Sequence, residues 1–392
     1  MPADPNWRRK LRRLILGPAP DDHLGRRPFV APKKPFRLFG GDDAPPPAPY
    51  VPPDSPGFRR MFARNRLTLG LFFAIDNYDG DTPDMSRQVE LARRADALGY
   101  AALWTRDVPL RDPSFGDVGQ IYDPWVWLGL ITGATRDITL ATGSIVFPLS
   151  HPITLAKAAA SVDQLSGGRL FLGIASGDRA VEFPAFGLDT RKRGEIFRET
   201  LAYFNRVLYE SFPRIDSPLG RLENADLVPK ARHNRIPVGI TGHCRQDPKW
   251  IAAHCDAWIM YSNSPDTQAI VLRTWREAVA ASGADFKPFV QPLHVDLADD
   301  PDADLEPIRS GYRLGRNLLI ELLERLRAVG VNHVALSFKR GHRPADEVME
   351  EIGREVLPHF PSLAPENLPA QSPTSSPSQP TDSTSALSRG GR

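Results

Sequence analysis

Between Leu67 and Phe360 the chain alternates between two hydrophobic rhythms. Short runs of apolar and β-branched residues are each followed by a longer stretch in which apolar positions recur every three or four residues. The short runs predict eight strands: Leu67–Phe73, Ala101–Thr105, Ile138–Val146, Leu170–Ala175, Ile236–Thr241, Ala257–Tyr261, Pro288–Val295 and His333–Phe338. The longer stretches predict helices over Asp84–Leu98, Pro124–Thr135, Ile153–Leu165, Arg193–Tyr209, Pro248–His254, Pro265–Ala281, Gly315–Val329 and Ala345–Val356. Eight successive strand–helix units imply an α/β fold of the (β/α)₈ TIM-barrel type. A doubly wound open sheet would need a Gly-rich turn directly after its first strand. That strand runs instead into Ala74-Ile75-Asp76-Asn77-Tyr78.

The rhythm fades at both ends. Residues 1–66 hold 14 of the 39 prolines, including Pro45-Pro46-Pro47. Each proline removes a backbone donor and biases its predecessor away from helix, so this stretch reads as an extension with at most a short amphipathic helix over Trp7–Leu16. Ala364–Arg392 is rich in Ser, Pro and Thr and poor in apolar residues, the composition of disorder. The expected organisation is a Pro-rich basic extension over 1–66, the barrel over 67–363, and a low-complexity tail over 364–392.

Composition adds three constraints. The chain is 41% hydrophobic and 24% charged, ordinary for a water-soluble protein, and no run approaches the roughly 20 apolar residues of a membrane span. Two cysteines cannot build a disulfide framework, which points to a reducing cytoplasm. Charge is uneven: residues 1–66 carry 14 Lys and Arg against 6 Asp and Glu, so against a whole-chain balance of +2 the remainder is net −6. The basic arm reads as a solvated tether, and no specific nucleic-acid partner is expected.

Ligands of such barrels bind where the strands end, and the residues there carry a resemblance. Three ordered stretches do so. They are Gly99-Tyr100-Ala101-Ala102-Leu103-Trp104-Thr105-Arg106-Asp107; Pro148-Leu149-Ser150-His151-Pro152 with Ala156-Lys157 and Asp163-Gln164-Leu165-Ser166-Gly167-Gly168-Arg169; and Leu172-Gly173-Ile174-Ala175-Ser176-Gly177-Asp178 with Glu182-Phe183 and Phe186-Gly187. Together they resemble the bacterial-luciferase-like flavin-dependent oxidoreductases from about Leu67 to Phe360. The variants Arg106-Asp107-Val108-Pro109, Phe115–Gln120 and Ser176–Arg179 are similar to an uncharacterised bacterial subgroup, which implies no substrate.

The resemblance implies a reduced-FMN-dependent oxidoreductase, a two-component monooxygenase that takes O₂, a small organic substrate and flavin from a partner reductase, and it implies a homodimer. It also admits hydride transfer with a deazaflavin coenzyme, or a non-catalytic flavin-binding protein. The flavin ring would lie against Thr142, Gly143 and Ser144, where the family often has a non-proline cis peptide. Gly143 lets the backbone approach a flat ring. The FMN phosphate needs backbone N–H groups and a cation. Ser176-Gly177-Asp178-Arg179 and Thr241-Gly242-His243-Cys244 are the first two sources, and Arg340-Gly341-His342-Arg343 is a third. Asp107 is the candidate acid–base group beside the ring, unless Arg106 and Asp107 form an ion pair. Many relatives place a histidine after this aspartate, where this chain has Val108, leaving His151 as the nearest replacement if it does not simply start its helix. His243-Cys244 and His254-Cys255 lack the spacing and partners of a metal site, so none is expected. Trp125, Trp127 and Leu128 suit either a dimer interface or a buried face.

Overall fold

A computed structural model describes residues 50–363 except Asn234, so the expected Trp7–Leu16 helix and the tail from Ala364 lie outside the described residues. Eight strands follow one another: β1 (Thr68–Phe72), β2 (Ala102–Thr105), β3 (Thr139–Thr142), β4 (Leu170–Ala175), β5 (Val238–Thr241), β6 (Ala257–Ile259), β7 (Phe289–Leu297) and β8 (His333–Ser337). Each pairs in parallel with the next, and β8 pairs in parallel with β1, so the sheet closes. Helices α1 (Gln88–Leu98), α2 (Pro124–Ala134), α3 (Pro152–Ser166), α4 (Arg193–Tyr209), α5 (Pro248–His254), α6 (Pro265–Ala281), α7 (Arg316–Val329) and α8 (Ala345–Glu351) follow the strands in order. The (β/α)₈ architecture is therefore as the pattern predicts.

The helix starts are chemical. Asp123, His151, Asp247 and Ser264 accept backbone N–H bonds at the starts of α2, α3, α5 and α6, each with proline in the first turn, where its missing donor costs nothing. Among the described residues no helix is long and apolar enough to cross a membrane.

Side chains alternate across each strand, which sends every second one into the barrel. Phe72, Ala102, Trp104, Ala141, Phe171, Ala257, Ile259, Val290 and Ala335 fill the interior as one cluster. The larger cluster lies between the strands and the helices.

Phe58, Met61 and Phe62 belong to the interior cluster too, which corrects the reading of residues 1–66 as an unpacked extension. A helix over Pro56–Met61, capped by Ser55, closes the end of the barrel where the strands begin. The Gly57 N–H donates to the Gly168 carbonyl at 3.1 Å, and Thr139 Oγ1 donates to the Gly57 carbonyl at 3.0 Å. A further chain of bonds crosses the interior. Trp104 Nε1–H donates to His333 Nε2 at 3.0 Å, which fixes the neutral imidazole with its proton on Nδ1. That proton goes to Thr68 Oγ1 at 2.7 Å, whose hydroxyl donates to the Met61 carbonyl at 2.8 Å. Burial pushes His333 down to about 3, so the chain persists at neutral pH.

Two local differences bear on the site. The predicted strand Ile138–Val146 is broken at Gly143-Ser144, joined by a cis peptide, before a short strand Ile145–Val146. Trp127 and Leu128 are buried in the core, so neither serves an interface.

Candidate active site

The alternation that fills the barrel also decides what reaches its mouth. Two residues beyond Ala141 the inward position is Gly143, whose added Cβ would stand 3.1 Å from the rings of Phe72 and Trp104. On β4 and β5 the inward positions are Gly173 and Gly239, both with backbone or aromatic atoms under 3.0 Å from an added Cβ. Three adjacent strands thus present side-chain-free backbone above a filled interior. Gly173 and Gly239 are themselves buried in close packing, so the accessible part of this floor is the half-buried Gly143 backbone at the end of β3.

The polar groups around this floor come from three loops. Ser144 hydrogen-bonds Thr241, tying the end of β3 to the end of β5. The Thr142 hydroxyl instead donates to the buried Gly173 carbonyl at 2.7 Å, so it stitches β3 to β4 and does not meet the expected ring. Ser176, after β4, hydrogen-bonds Cys244, after β5, which brings the two expected phosphate loops together. Gly242, Cys244 and Arg245 have φ of 62°, 46° and 59°, a tightly curled backbone in which the Gly242 N–H already donates to the Ile259 carbonyl at 2.8 Å. Burial pushes the Cys244 thiol up to about 12, so it is no thiolate. His243 is exposed, its ring 5.4 Å from that of Trp258. Gly177, at φ 81°, packs beside Val146 and Phe183.

Arg179 departs from expectation. Its guanidinium stacks 3.8 Å over Phe115, donates to the Asp117 carbonyl, and approaches Glu182 at 4.0 Å. It anchors the loop after β2, while its buried Nη1 has no partner. The charge beside the curled backbone comes from Arg193, at the start of α4, whose neighbours are Arg245, Asp178 and Cys244 and whose buried Nε has no partner. Nothing in the sequence separated Arg193 from other helix-start arginines; only the fold sets it there.

Asp107, two residues past the end of β2, accepts the Val146 N–H at 3.0 Å. Burial, with Asp123 adding to it, pushes its carboxyl up to about 6. Glu182, missed in the sequence, is 1% exposed; burial raises it to about 7, opposed by Arg179 and reinforced by Asp107. The ion pair of Arg106 with Asp107 does not form, because Arg106 binds Asp117 at 2.8 Å. His151 is an exposed helix cap: Nδ1 accepts the Ile153 N–H at 3.3 Å and Nε2 bonds the Leu219 carbonyl at 2.9 Å. Both ring nitrogens are occupied by backbone, which removes it as a proton donor at the mouth. Among the described residues no three His, Cys, Asp or Glu side chains gather as a metal site.

The profile of the luciferase-like monooxygenase family matches residues 67–356, the whole of this barrel. The chain belongs to that family. An uncharacterised protein of Mycobacterium tuberculosis is 29% identical over 226 residues, 53% of this chain and 79% of the relative. Among solved structures, an F420-dependent secondary alcohol dehydrogenase in complex with an F420–acetone adduct superposes with TM-score 0.63 at 17% identity, over 75% of this chain and 99% of that one. The oxygenating constituent of 3,6-diketocamphane monooxygenase from Pseudomonas putida, a type II Baeyer–Villiger enzyme in complex with FMN, superposes with TM-score 0.61 at 15% identity, over 75% of this chain and 98% of that one. At such identities the superpositions establish the shared fold. Family membership supports an oxidoreductase.

Proposed function

We propose that this luciferase-like protein holds reduced FMN over the β3–β5 half of the barrel mouth and oxygenates a small organic substrate with O₂, the flavin coming from a separate reductase. The observation that carries this reading is the half-buried Gly143 backbone at the end of β3, beside the Ser176 and Cys244 loops. That backbone suits one face of a flat tricyclic ring, while Arg193, whose buried Nε has no partner, with Ser176 suits a phosphate dianion. When bound, the flavin supplies the two-electron redox chemistry. The protein's part is to orient the ring on this floor, to seal it under the loop held by Arg179, and to keep a proton at hand. Asp107 suits that last role, because a carboxyl near 6 can hold or release a proton at neutral pH. Asp178, beside Arg193, lies on the same rim.

The floor fits a deazaflavin ring of the same outline, so hydride transfer with that coenzyme is the second reading. Binding without catalysis is disfavoured by the buried carboxyls at the mouth, which cost stability. Two buried free cysteines suit a reducing cytoplasm. The test is reconstitution with FMN, riboflavin and the deazaflavin coenzyme, followed by absorbance and fluorescence quenching. Arg193→Ala should weaken FMN about tenfold or more and leave riboflavin within about twofold, the worth of one charge-assisted contact. Equal losses for both ligands would remove the phosphate assignment, and tight binding of the deazaflavin alone would replace FMN.

A further inference from the structure

The other half of the mouth differs in kind. The alternation that puts Trp104, Val290 and Ala335 inside the barrel puts Arg106, His294 and Lys339 toward its rim, His294 in the C-terminal half of β7 and Arg106 and Lys339 just past β2 and β8. Asp117 reaches across from the loop after β2 and is shared: Arg106 at 2.8 Å, Lys339 at 3.0 Å, the Tyr78 hydroxyl at 2.9 Å and the Gly119 N–H at 2.9 Å all bind it. Arg340, next in the chain, stands close enough to act on both His294 and Tyr78. It forms no carboxylate pair among the described residues, and its buried Nε has no partner. His294 Nδ1 is also buried without a partner. Three cations thus surround His294 against one carboxylate that is already fully used.

Such an arrangement carries a cost of its own. Buried polar atoms are nearly always paired, and an unpaired one costs about 1–3 kcal/mol. Like charges gathered at a mouth are retained where something of opposite sign completes them. Burial, then Arg106 and Arg340, push His294 down to about 4, so the imidazole is neutral and adds a hydrogen-bonding edge rather than a further charge. The nearby carboxylate Asp296 is already taken by Arg313 at 3.0 Å and by His342.

We propose that Arg106, His294, Lys339 and Arg340 form a subsite for an anionic group on the substrate, a carboxylate or a sulfonate, held on the side of the mouth opposite the flavin floor. The inference rests on the flavin reading for its orientation but not for its charge. A substrate seated this way would point its uncharged end across the mouth, toward the β3–β5 floor.

The experiment uses the full chain loaded with FMN and three probes of similar shape: butyrate, butane-1-sulfonate and neutral butyramide, titrated calorimetrically. The anions should bind and the amide should not. Arg340→Gln should weaken anion binding about tenfold or more while changing FMN affinity by less than about twofold, and Arg340→Lys should recover most of the loss because it restores the charge. Butyramide binding as well as butyrate, or anion binding that survives Arg340→Gln in a variant of unchanged thermal stability, would overturn the subsite. A loss of FMN but not riboflavin on Arg340→Gln would also overturn it, by moving the flavin phosphate to this side. Anion binding in a chain that takes up no flavin would sink the flavin reading and leave the subsite standing.

Discussion

At the scale of single residues, Asp107 shows how burial and a hydrogen bond act on one carboxyl. Its folded value near 6 lies above that of an unfolded aspartate, so folding takes up a proton between about pH 4 and 6. Stability from this group is therefore present at low pH and declines as pH rises through that window. Asp107→Asn keeps an oxygen to accept the Val146 N–H and removes the buried charge. It should stabilise the fold by about 1–3 kcal/mol at pH 8, with a much smaller gain at pH 4.5, as read by urea unfolding. An equal effect at both pH values would mean that the carboxylate is compensated by a partner. The same substitution should depress turnover if the carboxyl supplies the proton. That Gly143, Ser144, Ser176 and Cys244 stand at strand ends was legible from strand alternation and strand order. Where His151 and Arg179 would bond was not, because a loop side chain goes where its hydrogen bonds are, and those partners, Leu219 and Asp117, are 68 and 62 residues away.

At the scale of elements, the least expected is the helix Pro56–Met61. Its surroundings are proline-rich, and the prolines that argued against structure are compatible with it, since Pro56 sits in the first turn behind the Ser55 cap. Phe62 meets Phe171 edge-on at 5.4 Å inside the barrel, so the helix is part of the core. A chain beginning at Tyr50 should unfold at the same temperature as the full chain, whereas one beginning at Leu67 should lose its cooperative transition or aggregate. Phe62→Ala should cost about 3–5 kcal/mol, the usual toll of emptying an aromatic core position. A stable, flavin-binding chain from Leu67 would show that the barrel closes its own floor. The strand positions were the most legible feature: each predicted strand contains the observed one, except where Gly143-Ser144 interrupts β3 and where β7 runs two residues past the predicted Val295 to Leu297.

At the scale of the whole molecule, one apolar surface remains to be accounted for. Tyr122, Val126 and Leu130 recur at helical spacing along α2 and the residue stretch before it, and they are 47%, 72% and 54% exposed, with Ile121 beside them. The proposed homodimer would use this face rather than Trp127 and Leu128. Val126→Asp with Leu130→Asp should convert a dimer to a monomer in light scattering without lowering the unfolding temperature. A wild-type chain that runs as a monomer at high concentration would dispose of the interface.

Hydrophobic alternation is a local property, so the sequence by itself determined eight strands, their helices, the closed barrel and which strand ends form the mouth. Family resemblance and the glycine at the end of the third strand likewise pointed to Gly143 as the place for a ring. What only the tertiary structure decided is where the charges sit. Arg193, Glu182, His294 and Arg340 gain their meaning from neighbours that are remote in the chain, and a charged side chain is long enough to choose among several partners. The cationic cluster around His294 follows from that choice. The packing of Phe58, Met61 and Phe62 into the barrel follows from another long-range contact, one that no periodicity in a six-residue helix could announce.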